Sequence, residues 1–120
     1  MIFRPALAQA ILEGRKTVTR RLTRDNPRSP WWRERCGFRV GQSFAVCPGR
    51  SKHAIGRAVV TAVHMEMLGH LTEDEARREG FASIAEFFDA FRGINGSKIN
   101  GWDSVWRIEF ELEQPTEVAA

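Results

Sequence analysis

Between Gly14 and Leu22 the chain reads GRKTVTRRL, four cations and two threonines within nine residues. A lysine beside hydroxyls and arginines can do three kinds of work. It can sit in a solvated turn, grip a phosphate, or serve a reaction centre. In the last case burial and a neighbouring cation lower the lysine pKa until the amine acts as a base toward a hydroxyl or a water. Strand alternation divides the stretch. Thr17, Thr19 and Arg21 point to one face, Val18, Arg20 and Leu22 to the other. Val18 and Leu22 claim the core, which sends Thr19 and Arg21 to the opposite face, a groove in a barrel-like fold. Lys16 lies in the turn after Gly14, outside the alternation, and can lean over Thr19. Glu79 ends a helix just before Gly80. A carboxylate there faces the negative end of the helix dipole. It is either tolerated at the surface or compensated by a cation, with Lys16 and Arg21 as candidates.

Two further groups carry chemistry. Residues 48–52 (PGRSK) offer backbone amides, the Ser51 hydroxyl and the cations Arg50 and Lys52. Such a loop can hold a phosphate or a carbonyl, but it lacks the P-loop pattern GxxxxGK[ST]. Trp31, Trp32 and Trp102 fall in expected loops, where they either stack on nucleobases or close the end of a barrel. Trp106 belongs to the core or a groove wall. No serine-hydrolase elbow, Rossmann glycine pattern or zinc-ligand spacing occurs. His53, His64 and His70 are scattered, and Cys36 and Cys47 form no CxxC pair. No metal and no cofactor are expected.

The elements that must position these residues fit one small domain. The chain has 120 residues, 42% hydrophobic and 28% charged, enough for one core and too short for two. The net charge of +3 is unevenly spread. Residues 15–39 hold nine Lys/Arg against Asp25 and Glu34, a local +7, which leaves −4 for the rest. This asymmetry fits either a solvated basic loop or an anionic partner. No apolar run reaches the roughly 18 residues of a membrane span, and the first fourteen residues do not read as a signal peptide. Reduced cysteines suggest a cytoplasmic protein.

Pro5 opens a helix over 5–13 that Gly14 ends. KTVTRRL follows as a strand. Residues 23–39, with Pro27 and Pro30, read as a long loop. Residues 41–46 (GQSFAV) read as a turn and a short strand, and 54–68 as a long β segment within which Gly56 and the imperfect alternation suggest a bulge or bend. Thr72 with Glu75 and Ser83 with Glu86 form capping boxes for two helices. In the second, Ile84, Phe87, Phe88 and Phe91 make one apolar stripe. The final strand alternates Trp106, Ile108, Phe110 and Leu112 with Arg107, Glu109 and Glu111, one face buried and one wet. This order predicts an α+β fold on a curled or closed mixed sheet. One domain spans 1–113, followed by a C-terminal tail at 114–120.

In this order, GRKTVTRRL after a short helix, the PGR loop, the long β segment, LTEDEARREGF, a helix with EFF and the closing VWRIEFEL strand resemble the ASCH domain family over about residues 2–113. The resemblance implies a PUA-like fold, a small mixed or antiparallel β-barrel with flanking short helices, and an association with RNA. It further implies, for the small amidohydrolase members, metal-independent removal of the acyl group from N4-acylated cytosine nucleosides such as N4-acetylcytidine. Those members use a lysine and a threonine of the K-T-x-T stretch and a glutamate at the helix end, matched here by Lys16, Thr19 and Glu79. Arg21 matches a cation of the same motif and is expected to orient the substrate. Arg50, Ser51 and Trp106 join it as candidate substrate contacts on their residue chemistry. The expected reaction has Lys16 drawing a proton from Thr19 or a water. Arg21 or the amides of 47–52 then stabilise the oxyanion, and Glu79 protonates the leaving amine. The basic loop with Trp31 and Trp32 departs from the shortest such enzymes. It leaves an RNA-binding module, with or without ribonuclease activity, as the alternative.

Overall fold

A computed structural model describes residues 1–113; the tail expected at 114–120 lies outside the described residues. The elements are α1 (Pro5–Leu12), β1 (Val18–Leu22), β2 (Trp31–Trp32), β3 (Arg35–Cys36), β4 (Ser43–Val46), β5 (Gly56–Met67), α2 (Glu73–Arg78), α3 (Ile84–Asn95) and β6 (Ser104–Leu112), with a 3₁₀ turn at Leu68–His70. Four strands form one antiparallel sheet in the order β1-β6-β5-β4, and β2 pairs with β3 as a separate hairpin. The α+β class is as the sequence implies, but the sheet is not closed into a barrel. Both edges are covered by other means. At β4, residues 1–3 run alongside, with Phe3 N–H donating to Cys47 O at 2.9 Å and Cys47 N–H to Met1 O at 3.0 Å. At the outer edge of β1, the Lys16 ammonium donates to Val18 O at 2.8 Å.

Both faces of the sheet are packed. Phe3, Ala8 and Ile11 meet Phe44, Val60, Ile108 and Phe110 on the α1 side. Phe87 and Phe91 of α3 meet Leu68, Ala76 and Val105 on the other. Two expectations meet this arrangement. Directly paired residues share a face, so Thr19, opposite Ile108, lies on the α1 side with Arg21. Val18, Arg20 and Leu22 face α2 and α3, so Val18 and Leu22 do turn to a core, while the opposite face is packed by α1 rather than left as an open groove. The face of β6 expected to be wet is exposed at Glu111 but covered at Arg107. Arg107 is 7% exposed, its Nε donating to Glu75 Oε1 at 2.6 Å and its Nη2 to Glu109 Oε1 at 3.1 Å.

Local signals explain most boundaries. Thr72 Oγ1 accepts the Glu75 amide at the start of α2, and Ser83 Oγ the Glu86 amide at the start of α3, each cap worth about 1 kcal/mol. The bulge expected within the long β segment falls at Thr61, between Val60 and Ala62. Gly56 answers to packing: a Cβ there would lie 2.7 Å from Leu12 Cδ2 of α1. The expected loop 23–39 contains the β2–β3 hairpin, tied to the end of β1 by Arg24 N–H donating to Trp31 O at 2.8 Å. No helix of the described residues is long and apolar enough to cross a membrane.

Candidate active site

Lys16 and Glu79 are brought together from positions 63 apart. Gly14, at φ 78°, ends α1 and turns the chain so that Lys16 reaches the end of α2. Gly80, at φ 98°, turns the chain out of α2 directly after Glu79, and a Cβ there would stand 3.7 Å from Lys16 Cβ. Both side chains are almost wholly buried, Lys16 at 2% and Glu79 at 2% exposed. Lys16 Nζ donates to Glu79 Oε1 at 2.9 Å, to the Glu79 carbonyl at 2.8 Å and to Val18 O at 2.8 Å. All three hydrogens of an ammonium are accepted. Burial pushes the Lys16 pKa down, Glu79 pushes it back up, and Arg21 and Arg20 press it down further; the net direction is down.

The dipole penalty expected for Glu79 is met by compensation, not by exposure. A cation sits on each carboxylate oxygen. Lys16 holds Oε1, and Arg20 Nη1 donates to Oε2 at 2.9 Å. Arg21, the expected second partner, turns elsewhere. Its Nη2 donates to Ile2 O at 2.8 Å, and its guanidinium lies over the rings of Phe3 and Trp31 at 5.1 and 5.5 Å. Arg20 is thus the residue that sequence reasoning missed. Its available signal was an arginine between two apolar strand positions, which must find carboxylates to be buried there. It finds three: beyond Glu79, its Nε donates to Glu66 Oε1 at 2.6 Å and its Nη2 to Glu75 Oε1 at 2.5 Å.

These groups line one end of a cavity of about 210 Å³ beside the outer edge of β1. Lys16, Thr19, Arg20, Arg21 and Glu79 supply the polar end. Phe3 and Leu7 from the α1 side, Phe81, Phe87 and Phe91 from the α3 side, and Trp31 supply apolar walls. Exposed Arg24 and Ile94 stand at the mouth. This is smaller than a typical drug-sized pocket and suits a flat, base-sized group with the remainder of a ligand outside. Of the seven residues singled out from the sequence, Lys16, Thr19, Glu79 and Arg21 meet here. Arg50, Ser51 and Trp106 do not line this cavity. Arg50 and Ser51 are exposed in the 47–52 loop. Trp106 anchors the hairpin instead, its Nε1 donating to Trp32 O at 2.9 Å. Among the described residues, no three His, Cys, Asp or Glu side chains converge as a metal cluster would require.

No family model matches this chain, and no curated protein does. Solved structures do. An ASCH domain from Lactobacillus crispatus superposes with a TM-score of 0.70 at 20% identity, covering 88% of this chain and 69% of that one. A protein of Enterococcus faecalis assigned to the family DUF984 gives 0.63 at 18% identity, covering 89% of this chain and 66% of the other. ASCH from Zymomonas mobilis gives 0.59 at 20%, covering 98% and 71%.

Proposed function

From the premise that this chain has the ASCH-domain fold, we propose that it is a metal-independent amidohydrolase that removes the acyl group from N4-acylated cytosine nucleosides. The observation that carries this reading is the buried Lys16–Glu79 pair at the polar end of an aromatic cavity. At rest Lys16 is an ammonium with no lone pair to offer. One proton transfer across the 2.9 Å bond from Lys16 Nζ to Glu79 Oε1 yields a neutral amine and a carboxylic acid, the two forms that acyl transfer needs. A substrate that displaces water favours this transfer, because drying penalises the charged forms.

Neutral Lys16 then takes a proton from the Thr19 hydroxyl or from a water. That oxygen bonds to the amide carbonyl carbon, and the carbonyl electrons move to oxygen. Arg21, which lines the cavity and stays charged, stabilises that oxyanion, a contribution of about 3–4 kcal/mol. The 47–52 loop has no part in it. Glu79 returns its proton to N4 as the carbon–nitrogen bond breaks. Lys16 ends as an ammonium and Glu79 as a carboxylate, the starting state. If Thr19 is the attacking group, a water cleaves the resulting ester in a second round. The aromatic walls suit the flat cytosine ring, and the small volume leaves the sugar at the mouth.

The test is incubation of the protein with N4-acetylcytidine, with and without a chelator. Release of cytidine is expected, insensitive to chelator, and lowered by orders of magnitude in Lys16→Ala and Glu79→Gln. Wild-type turnover in both variants overturns the assignment. A second reading, RNA binding, is favoured by one observation: Arg24, Arg28, Arg33, Arg35 and Arg39 are all exposed on the segment that forms the cavity mouth and hairpin. On that reading affinity for short RNA falls steeply with salt, and neutralising Arg24, Arg28 and Arg33 flattens the dependence.

A further inference from the structure

Arg20 reaches Glu79 from the side opposite Lys16, and it is itself fixed at two other points. Its side chain is 1% exposed. Nη1 takes Glu79 Oε2 at 2.9 Å, Nε takes Glu66 Oε1 of β5 at 2.6 Å, and Nη2 takes Glu75 Oε1 of α2 at 2.5 Å. Glu75 is in turn held by Arg107 of β6 at 2.6 Å and by Arg78 at 3.2 Å. The guanidinium therefore cannot follow Glu79 if that side chain moves. A planar fork bonded on three sides is a rigid abutment. The Lys16 side carries no such bracing, since Lys16 Nζ has only Glu79 and a backbone carbonyl as partners.

We propose that Arg20 is the positioning residue of the Lys16–Glu79 pair: it clamps Oε2, aims Oε1 at Lys16 Nζ, and holds the resting proton on the lysine. The proposal rests on the amidohydrolase reading for its consequence in turnover, though not for its consequence in titration. Its logic is electrostatic. A cation within 3 Å of a buried carboxylate favours the charged form. Glu79 faces Lys16 and Arg20 directly, feels Arg21 at longer range, and has Glu66 and Glu75 beyond Arg20 as like charges. Without Arg20, Glu79 loses the clamp that aims Oε1 at Lys16 Nζ, and Lys16 is relieved of one of the cations that press its pKa down. The singly protonated pair is the active form, so the pH–rate profile shifts to higher pH.

The experiment is carbon-13 NMR titration of the Lys16 side chain in the wild type, Arg20→Gln, Arg20→Lys and Glu66→Gln, with pH–rate profiles for N4-acetylcytidine alongside. In Arg20→Gln the Lys16 midpoint is expected to rise, because a cation that presses it down is gone. Arg20→Lys keeps the charge without the fork and rises less. Glu66→Gln removes an anion beyond Arg20 and moves the midpoint the opposite way. Turnover falls at least tenfold in Arg20→Gln while KM changes little, because the apolar walls that hold the base are intact. A Lys16 midpoint unmoved in the folded Arg20 variants and in Glu66→Gln overturns the proposal. If the wild type releases no cytidine, the enzymatic reading fails, and the titration still decides whether Arg20 governs the Lys16–Glu79 pair.

Discussion

Replacing Lys16 with methionine preserves side-chain length and removes one charge and three donors. The carboxylate of Glu79 is not left alone, because Arg20 still holds Oε2 at 2.9 Å. The loss therefore sits at the low end of the roughly 3–5 kcal/mol typical of a broken buried pair. Val18 O and the Glu79 carbonyl each lose a buried donor, about 1 kcal/mol apiece. Relief of the lysine's own desolvation offsets part of this, and the net is about 3 kcal/mol. At about 4 °C per kcal/mol for a chain of this size, the melting temperature falls by about 12 °C. Glu79→Gln alone also costs about 3 kcal/mol, since it strips Lys16 and Arg20 of one shared anion. Both single changes break the same 2.9 Å bond. The double variant is therefore less destabilised than their sum, by about 1.5 kcal/mol or more. Urea and thermal unfolding of the four proteins measure this coupling, and turnover of N4-acetylcytidine, expected to fall about 10²–10⁴-fold in Lys16→Met, runs beside it. Additivity within about 0.5 kcal/mol, together with undiminished turnover, refutes a functional pair.

Three further outcomes are expected. Gly80→Ala forces a side chain into φ 98° and to 3.0 Å from Leu7 Cδ2; it lowers stability by about 1–2 kcal/mol in urea unfolding and lowers turnover by displacing Glu79. Desolvation pushes Glu75 up, but hydrogen bonds from Arg107 and Arg20 bring its carboxyl down from 4.5 to about 2. The folded pKa is depressed, so this stabilisation is complete above about pH 4.5 and is lost as pH falls toward 2; an acid titration followed by circular dichroism is steeper in that window for the wild type than for Glu75→Gln. Trp31→Ala removes a cavity wall and the ring under Arg21 at 5.5 Å; KM for the nucleoside rises several-fold in steady-state kinetics, and stability falls as well, because the ring also stacks on Phe38 and packs against the core.

The helices were legible because their signals are local. The Thr72–Glu75 and Ser83–Glu86 boxes act over three residues, and the hydroxyl–amide bonds at 3.2 and 3.1 Å are the ones expected. The long strands β5 and β6 were legible by length. The β2–β3 hairpin was not, because two-residue strands leave no period to detect. The division of β1 between two faces was legible, with Val18 and Leu22 marking a buried one. Burial of the other face was not, because a sheet packed on both sides buries Thr19 too, at 4% exposure. The wet face of β6 was misjudged because Arg107 and Glu109 look solvated in sequence. Their partners Glu75 and Arg78 lie some thirty residues away on α2. For the site, Lys16, Thr19 and Glu79 were legible as a motif, while Arg20 stood at an unremarked position within it. Its acids lie 46 to 59 positions downstream, beyond any periodic pattern.

The placement of the cavity beside the last strand of the sheet has a consequence for how copies of the chain behave together. Among the described residues β1 pairs only with β6, so the backbone groups of its other side are a template on which a foreign strand can add. The Lys16 ammonium, bonded to Val18 O, occupies that template with a charge no incoming strand can accommodate. Removing the lysine unmasks it. Lys16 variants are therefore expected to self-associate at concentrations where the wild type does not. The mass of each variant in solution, by light scattering, must be known before its lost turnover is ascribed to chemistry.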